Sequence, residues 1–326
     1  MNASVPSQSP AAGPDLETIR AAHRRIAPYI HRTPVMTSAS LDRIAGAELF
    51  FKCENLQRTG SFKMRGATNA VFSLSEAEAA RGVAAPSSGN HAAALALAAR
   101  SRGIRAWIVM PSNAPKIKVR AVEAYGAEIT FCEPTIAARE AASAALLQRT
   151  GAVLVHPYDN DRVIAGQGTA TLEFLEDVPD LDYLCVPVSG GGLLSGNAIA
   201  AKSLRPEIQV IGCEPKNADD AARSFASGKI EPASPATTIA DGLRAVLAPR
   251  TFAILRERVD RIVTVTEEEI VAAMRLLWER LKLVVEPSGS VSAAPALNRQ
   301  LGAAGKKIGI ILSGGNLDLG ALPFGK

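Results

Sequence analysis

Short apolar runs alternate along the chain with longer segments of helical spacing, and glycine or proline closes most of them. Ala106–Met110 (AWIVM) reads as a strand closed by Pro111, and Pro115–Tyr125 follows with helical spacing and ends at Gly126. Ala127–Phe131 is the next strand, the Ala-rich Pro134–Thr150 is a helix stopped by Gly151, and Val153–His156 is a third strand. Alanine is the best helix former, and glycine readily takes the left-handed conformation that ends a helix. This βαβαβ run predicts a parallel sheet wrapped by helices. The theme returns with a strand at Tyr183–Val188, a helix at Leu193–Ser203, a strand at Gln209–Cys213 and a last strand at Lys307–Leu312. Two α/β lobes fit a chain of 326 residues. No long Gly/Ser or Pro linker separates them, so the lobes are expected to be tightly joined.

Composition narrows the function class. Lys+Arg 36 against Asp+Glu 32 leaves +4, and the basic residues are scattered, which argues against a nucleic-acid partner. Aromatics at 5% are too few for a base-stacking platform. No apolar run approaches the roughly 20 residues that span a bilayer. Residues 1–14 are small and polar without a signal-peptide pattern, and read as a flexible tail. Cys53, Cys132, Cys185 and Cys213 lie far apart with no CxxC pair, so a disulfide framework is not expected and a reducing cytoplasm is. An enzyme is the expectation that remains.

Four polar or glycine-rich loops stand where ligands bind in parallel α/β sheets, after the carboxyl ends of strands. Ser189-Gly190-Gly191-Gly192-Leu193-Leu194-Ser195-Gly196 lets backbone N–H groups and a helix terminus approach an anion. It lacks the third glycine of a dinucleotide fingerprint and the Lys-Ser/Thr of a P-loop, and a plain tight turn is the bland alternative. Ser87-Ser88-Gly89-Asn90-His91 precedes an Ala-rich helix; its side chains are ordinary helix caps or a carboxylate dock. Ser313-Gly314-Gly315-Asn316 repeats the strand-then-glycine pattern. Ser61-Phe62-Lys63-Met64-Arg65-Gly66-Ala67 sets a lysine between an aromatic and an apolar residue, which is expected to lower its pKa and suits Schiff-base chemistry.

Taken together and in this order, these four motifs resemble those of the fold-type II pyridoxal-phosphate enzymes, in the serine/threonine dehydratase and serine racemase branch. The resemblance runs from about Asp15 to Leu322, with further support from Gly166-Gln167-Gly168-Thr169, Thr238–Leu243 and Glu286-Pro287-Ser288-Gly289. It implies a two-domain α/β fold like that of the tryptophan synthase β chain, each domain an open, twisted, mostly parallel sheet flanked by helices. Residues 15–72 with 160–326 would form the large cofactor domain and 73–159 the small substrate domain. By the same resemblance Lys63 carries pyridoxal 5'-phosphate and acts as base at Cα, Phe62 supports the ring and Asn90 bonds its 3-hydroxyl oxygen. Ser189, Gly190, Gly191, Gly192 and Leu193 hold the phosphate, Ser313 faces the pyridine nitrogen, and the loop Ser87, Ser88, Gly89, Asn90 and His91 takes the substrate carboxylate. A hydroxyl facing the nitrogen leaves it largely uncharged, which weakens the electron sink and favours elimination or reprotonation over transamination.

Ser88 leans toward the racemases. Many dehydratases resemble this loop with alanine there, whereas racemisation needs an acid–base group on each face of Cα. A helix-cap hydroxyl is the alternative. Glu214, Ala218 and Asp220, in the segment EPKNADD, match the racemase positions that hold a divalent ion; carboxylates and a carbonyl suit Mg²⁺, Ca²⁺ or Mn²⁺. A solvated helix start is the alternative. Ser38, Arg58, Thr59, Tyr125, Lys282 and Asn316 resemble a nucleotide effector site, but Ala93 stands where those racemases carry glutamine, which argues against nucleotide activation. The expected reaction is dehydration of L-serine and L-threonine to keto acid and ammonia together with serine racemisation, in a homodimer. Arg139 matches an arginine that meets a second carboxylate, which makes a 3-hydroxyaspartate ammonia-lyase the rival. A β-replacement enzyme or a non-catalytic binding protein is more remote.

Overall fold

The computed structural model describes residues 13–87, 89–114, 116–233 and 237–324. Residues 1–12 of the expected tail, and Ser88, lie outside the described residues. The strands are β1 (Val35–Met36), β2 (Glu48–Lys52), β3 (Val83–Pro86), β4 (Ala106–Pro111), β5 (Glu128–Cys132), β6 (Val153–Leu154), β7 (Tyr183–Pro187), β8 (Gln209–Pro215), β9 (Arg261–Val265) and β10 (Lys307–Ile311). They form two sheets. One has the order β1-β2-β10-β7-β8-β9 and is parallel except for the β1–β2 pair. The other, β5-β4-β3-β6, is wholly parallel.

Parallel strands covered by helices on both faces read as continuous apolar runs. That is why AWIVM (β4), YLCVP (β7) and KIGII (β10) were legible as strands. Gly126 and Gly151 end their helices at φ +84° and +63°, as the pattern predicts. The third predicted strand is shorter than expected: β6 stops at Leu154, and His156 and Pro157 turn toward the cleft between the sheets. Beyond the predicted elements, a buried helix at Asp161–Asp177 packs between the helices Lys63–Phe72 and Gly192–Leu204. Glycine makes this approach possible. A Cβ on Gly166 would stand 2.6 Å from Gly66 Cα, and one on Gly196 would stand 2.2 Å from Ile164 O. No helix among the described residues is long and apolar enough to cross a membrane.

Candidate active site

The carboxyl ends of strands from both sheets open on one cavity of about 750 Å³. Residues after β10 bring Ser313 to it, those after β7 bring Ser189 to Leu193, and those after β3 bring Ser87, Gly89, Asn90 and His91. Lys63 begins the helix Lys63–Phe72, and its Nζ donates to Pro157 O at 2.9 Å and stands 5.0 Å from the centre of the Phe62 ring. Burial lowers its amine to about 8. Of the two flanking residues expected to lower it, only Phe62 shares the cavity with the amine. Successive helical side chains diverge by about 100°, so Met64 enters the hydrophobic core while Lys63 faces the cavity. Phe62 N–H donates to Ser313 O at 3.0 Å, and Ser61 bridges Gly314, so the lysine segment lies alongside the C-terminal glycine loop.

The Ser189–Leu193 loop is a cradle that side chains would fill. Cβ atoms on Gly190 and Gly192 would stand 2.5 and 2.8 Å from Tyr158, and one on Gly191 would stand 2.8 Å from Leu247 and Thr251. Gly191 also has φ +88°, a conformation that favours glycine. It caps the helix Gly192–Leu204, whose N-terminus favours an anion. The Ser189 hydroxyl accepts from Ala245 N–H at 2.8 Å, and Thr251 Oγ1 donates to Gly190 O at 2.9 Å. These features fit a phosphate group. The lysine amine and the Ser313 hydroxyl, whose one hydrogen bond among the described residues is a long 3.5 Å approach to Ser288 O, fit the rest of pyridoxal phosphate.

Asn90 opens the helix Asn90–Arg102. Its Nδ2 donates to Glu286 Oε1 at 2.9 Å, and its Oδ1 accepts from Asn316 Nδ2 at 3.0 Å. Glu286 was visible in the sequence only as part of a supporting motif. It is buried against the cavity, and burial, with the negative charge of Asp241 behind it, pushes its carboxyl up to about 8. His91 is buried with Nε2 2.9 Å from Val155 O, and Nδ1 has no partner among the described residues. Arg139 also lines the cavity, from an exposed position on the helix Ile136–Thr150. Across the mouth, Lys118 Nζ meets Asp241 Oδ2 at 2.6 Å.

Outside the lining of the cavity, Glu214, Ala218 and Asp220 lie together at the start of the helix Asp220–Ser227, and all three are buried. Glu214 accepts from the N–H groups of Ala221 and Ala222 at 3.0 and 2.8 Å. Asp220 Oδ2 is buried without a partner among the described residues. Burial pushes both carboxyls up, Glu214 to about 8 and Asp220 to about 6. An orphaned carboxylate oxygen beside a second carboxylate fits a divalent cation. Among the described residues no three His, Cys, Asp or Glu side chains cluster for a metal, so such an ion would draw on the Ala218 carbonyl and water as well.

Sequence reasoning missed the support beneath the lysine. Arg65, two residues on, is fully buried between two carboxylates: Nε and Nη2 donate to Glu54 at 2.8 Å each, and Nη1 and Nη2 donate to Glu173 at 2.8 and 2.7 Å. Lys52 Nζ completes the cluster, donating to Glu173 Oε2 at 2.7 Å and to Thr33 O at 2.8 Å. The only signal was a second charged residue, two positions after Lys63, in the motif Ser61–Ala67.

A cavity that joins a desolvated lysine to an anion cradle on a helix terminus defines an enzyme built around a phosphorylated carbonyl cofactor. The family of pyridoxal-phosphate dependent enzymes matches residues 26–314, and the chain belongs to it. A serine racemase of Arabidopsis thaliana is 53% identical over 313 residues, covering 94% of this chain and 95% of its own length. A beta-hydroxyaspartate dehydratase of Paracoccus denitrificans is 48% identical over 311 residues, covering 95% and 99%. The solved structure of a T.th. threonine deaminase superposes with a TM-score of 0.89 at 46% identity, covering 94% of this chain and 99% of that one.

Proposed function

We propose that this enzyme dehydrates L-serine and L-threonine to the keto acid and ammonia and interconverts L- and D-serine. The relatives carry different reaction names at similar identity, so the reading rests on the site. The observation that carries it is the convergence of Lys63, Ser87, Gly89, Asn90 and His91, the glycine cradle and the Ser313 hydroxyl on one cavity. When bound, pyridoxal phosphate supplies the electron sink that makes a Cα proton removable. The N–H groups of Ser189 to Leu193 hold its phosphate, Asn90 meets its ring oxygen, Phe62 flanks the ring, and Ser313 offers a hydroxyl rather than a carboxylate to the ring nitrogen. Ser87, Gly89, Asn90 and His91, at a helix N-terminus, receive the substrate carboxylate. Lys63 Nζ holds the cofactor and moves the Cα proton on its own face. Ser88, for which only the sequence speaks, moves the proton on the opposite face.

Glu214, Ala218 and Asp220 are proposed to hold Mg²⁺, Ca²⁺ or Mn²⁺ beside the phosphate loop; the orphaned Asp220 oxygen supports this. A homodimer suits the exposed Leu56 and Val284, brought to one surface by the hydrogen bond from Asn55 Nδ2 to Val284 O. A cytoplasmic setting suits its four free cysteines. Arg139, lining the cavity, supports hydroxyaspartate as a second substrate reading. The test is to incubate the enzyme with L-serine, L-threonine and the hydroxyaspartate diastereomers, following keto acid and D-serine together. Serine is expected to give both pyruvate and D-serine, and Lys63→Ala is expected to give neither. Product from hydroxyaspartate alone would overturn the serine reading in favour of the rival.

A further inference from the structure

The segment Val155–Asp159 crosses from the small sheet to the helix Asp161–Asp177 and touches His91, Lys63 and the glycine cradle of the cavity. Val155 O faces His91 Nε2, Pro157 O accepts from Lys63 Nζ, and Tyr158 packs against the glycine cradle. His156 stands in the middle of this segment, and its half-buried ring lines the cavity. Its Nδ1 accepts the N–H of Asp159 at 2.9 Å. A ring nitrogen that accepts carries no proton, so the neutral ring keeps its proton on Nε2. A second proton on Nδ1 would face the Asp159 N–H head-on. Burial lowers the imidazole pKa further, aided by the charge of Lys63 and opposed by that of Asp159. The edge-to-face contact with Tyr158, at 4.6 Å and 81°, holds the ring plane. Nε2 has no protein partner among the described residues and is not sealed from solvent. A donor of fixed direction thus stands beside the lysine with nothing among the described residues to receive it.

We propose that His156 Nε2–H receives the β-oxygen of the substrate, selecting β-hydroxy amino acids and assisting departure of the hydroxyl. This rests on the dehydratase reading of the same site. In the step assisted, the Cα–H electron pair becomes the second Cα–Cβ bond and the Cβ–O pair leaves on oxygen. The proton that Lys63 lifts from Cα ends on that oxygen, and water departs. His156 keeps its own proton throughout and stabilises the negative charge developing on oxygen.

Two variants of the holoenzyme separate this role from a structural one. His156→Asn keeps an acceptor for the Asp159 N–H but has no atom where Nε2 stood, and His156→Gln returns an N–H to that reach. The substrates are L-serine and β-chloro-L-alanine, whose chloride leaves without a hydrogen-bond donor. His156→Asn is expected to lose about 10²-fold in kcat/KM for L-serine deamination, with a loss at least about tenfold smaller on β-chloro-L-alanine. His156→Gln should recover part of the L-serine loss. Cofactor affinity, titrated by visible absorbance, should match wild type in both variants. Equal losses on the two substrates would overturn the proposal. So would weakened cofactor binding, which would place Nε2 on the phosphate. Wild type that releases keto acid from β-chloro-L-alanine but not from L-serine would overturn the dehydratase reading itself, and this inference with it.

Discussion

Glu173→Gln tests whether the buried ion cluster holds the lysine helix in place. Lys52, Arg65, Glu54 and Glu173 carry two positive and two negative charges, and their side chains are at most 1% exposed. Burial opposes ionisation of Glu173. Hydrogen bonds from His23 and Arg65, with the charges of Arg65 and Lys52, nevertheless hold it well below the usual carboxylate range. Glutamine keeps the shape but removes one charge, and its amide turns N–H donors on Arg65 or Lys52. The cluster is then left with one uncompensated positive charge in a site closed to water. Breaking a buried pair in this way costs about 3–5 kcal/mol. At the lower end of the usual conversion, suited to a long chain, that is a fall of roughly 6–10 °C in melting temperature.

The assay is thermal melting followed by circular dichroism and by the visible absorbance of bound cofactor. Glu176→Gln on the same helix is the control. It removes an exposed partner of Arg32, with side chains 49% and 57% exposed, and a surface pair of this kind contributes about 0–1 kcal/mol. The sharper arm is Lys52→Met in the Glu173→Gln background, which restores neutrality. It should recover much of the loss, because the penalty lies in the unpaired charge rather than in the missing contact. A Glu173→Gln melting temperature indistinguishable from that of Glu176→Gln would refute the reasoning. A further loss on adding Lys52→Met would refute it equally.

Ser88→Ala should lower L-to-D serine conversion by about 10²–10⁴-fold, and D-serine deamination with it, while L-serine deamination survives. Chiral analysis with pyruvate release checks this, and equal losses on both enantiomers would make Ser88 a part of the carboxylate loop only. Chelator should lower the melting temperature of the wild type and Mg²⁺ should restore it, with Asp220→Ala insensitive to both, since an ion that binds only the folded state stabilises it; a wild type indifferent to strong chelator would remove the ion. Burial, with the charge of Lys63, pushes His91 down to about 3. Its folded pKa is thus depressed, so the unfolded chain takes up a proton first, and the contribution present above about pH 6.5 is lost as pH falls toward 3, by up to about 1.4 kcal/mol per pH unit. His91→Gln, which keeps a donor for Val155 O, should flatten that limb of a melting-temperature profile, and parallel profiles would exclude the assignment.

The parts of this molecule that a linear reading reaches are those where pattern and position coincide. Strands β4, β7 and β10 are buried on both faces, so their apolar runs are unbroken. The residues that interrupt such runs at their carboxyl ends (Ser87, Ser189 to Gly192, Ser313) stand where a parallel sheet opens to ligands. Lys63 was legible from its motif, though not its surroundings, because neighbours in a helical sequence are not neighbours in space. His156 was read as the end of a strand. Its meaning depends on a hydrogen bond from Asp159, which appears only once β6 stops at Leu154 and the chain turns. Arg65 is the hardest case. Its two carboxylate partners lie 11 and 108 residues away, and Lys52 lies 121 residues from Glu173. Charged side chains are rarely buried unless paired, so each of these, read alone, is most economically placed in water. Only the fold brings all four together behind the lysine. Chemistry that meets solvent interrupts the hydrophobic pattern and so leaves a local mark, whereas chemistry that supports it from within is written in pairs of positions no local window contains.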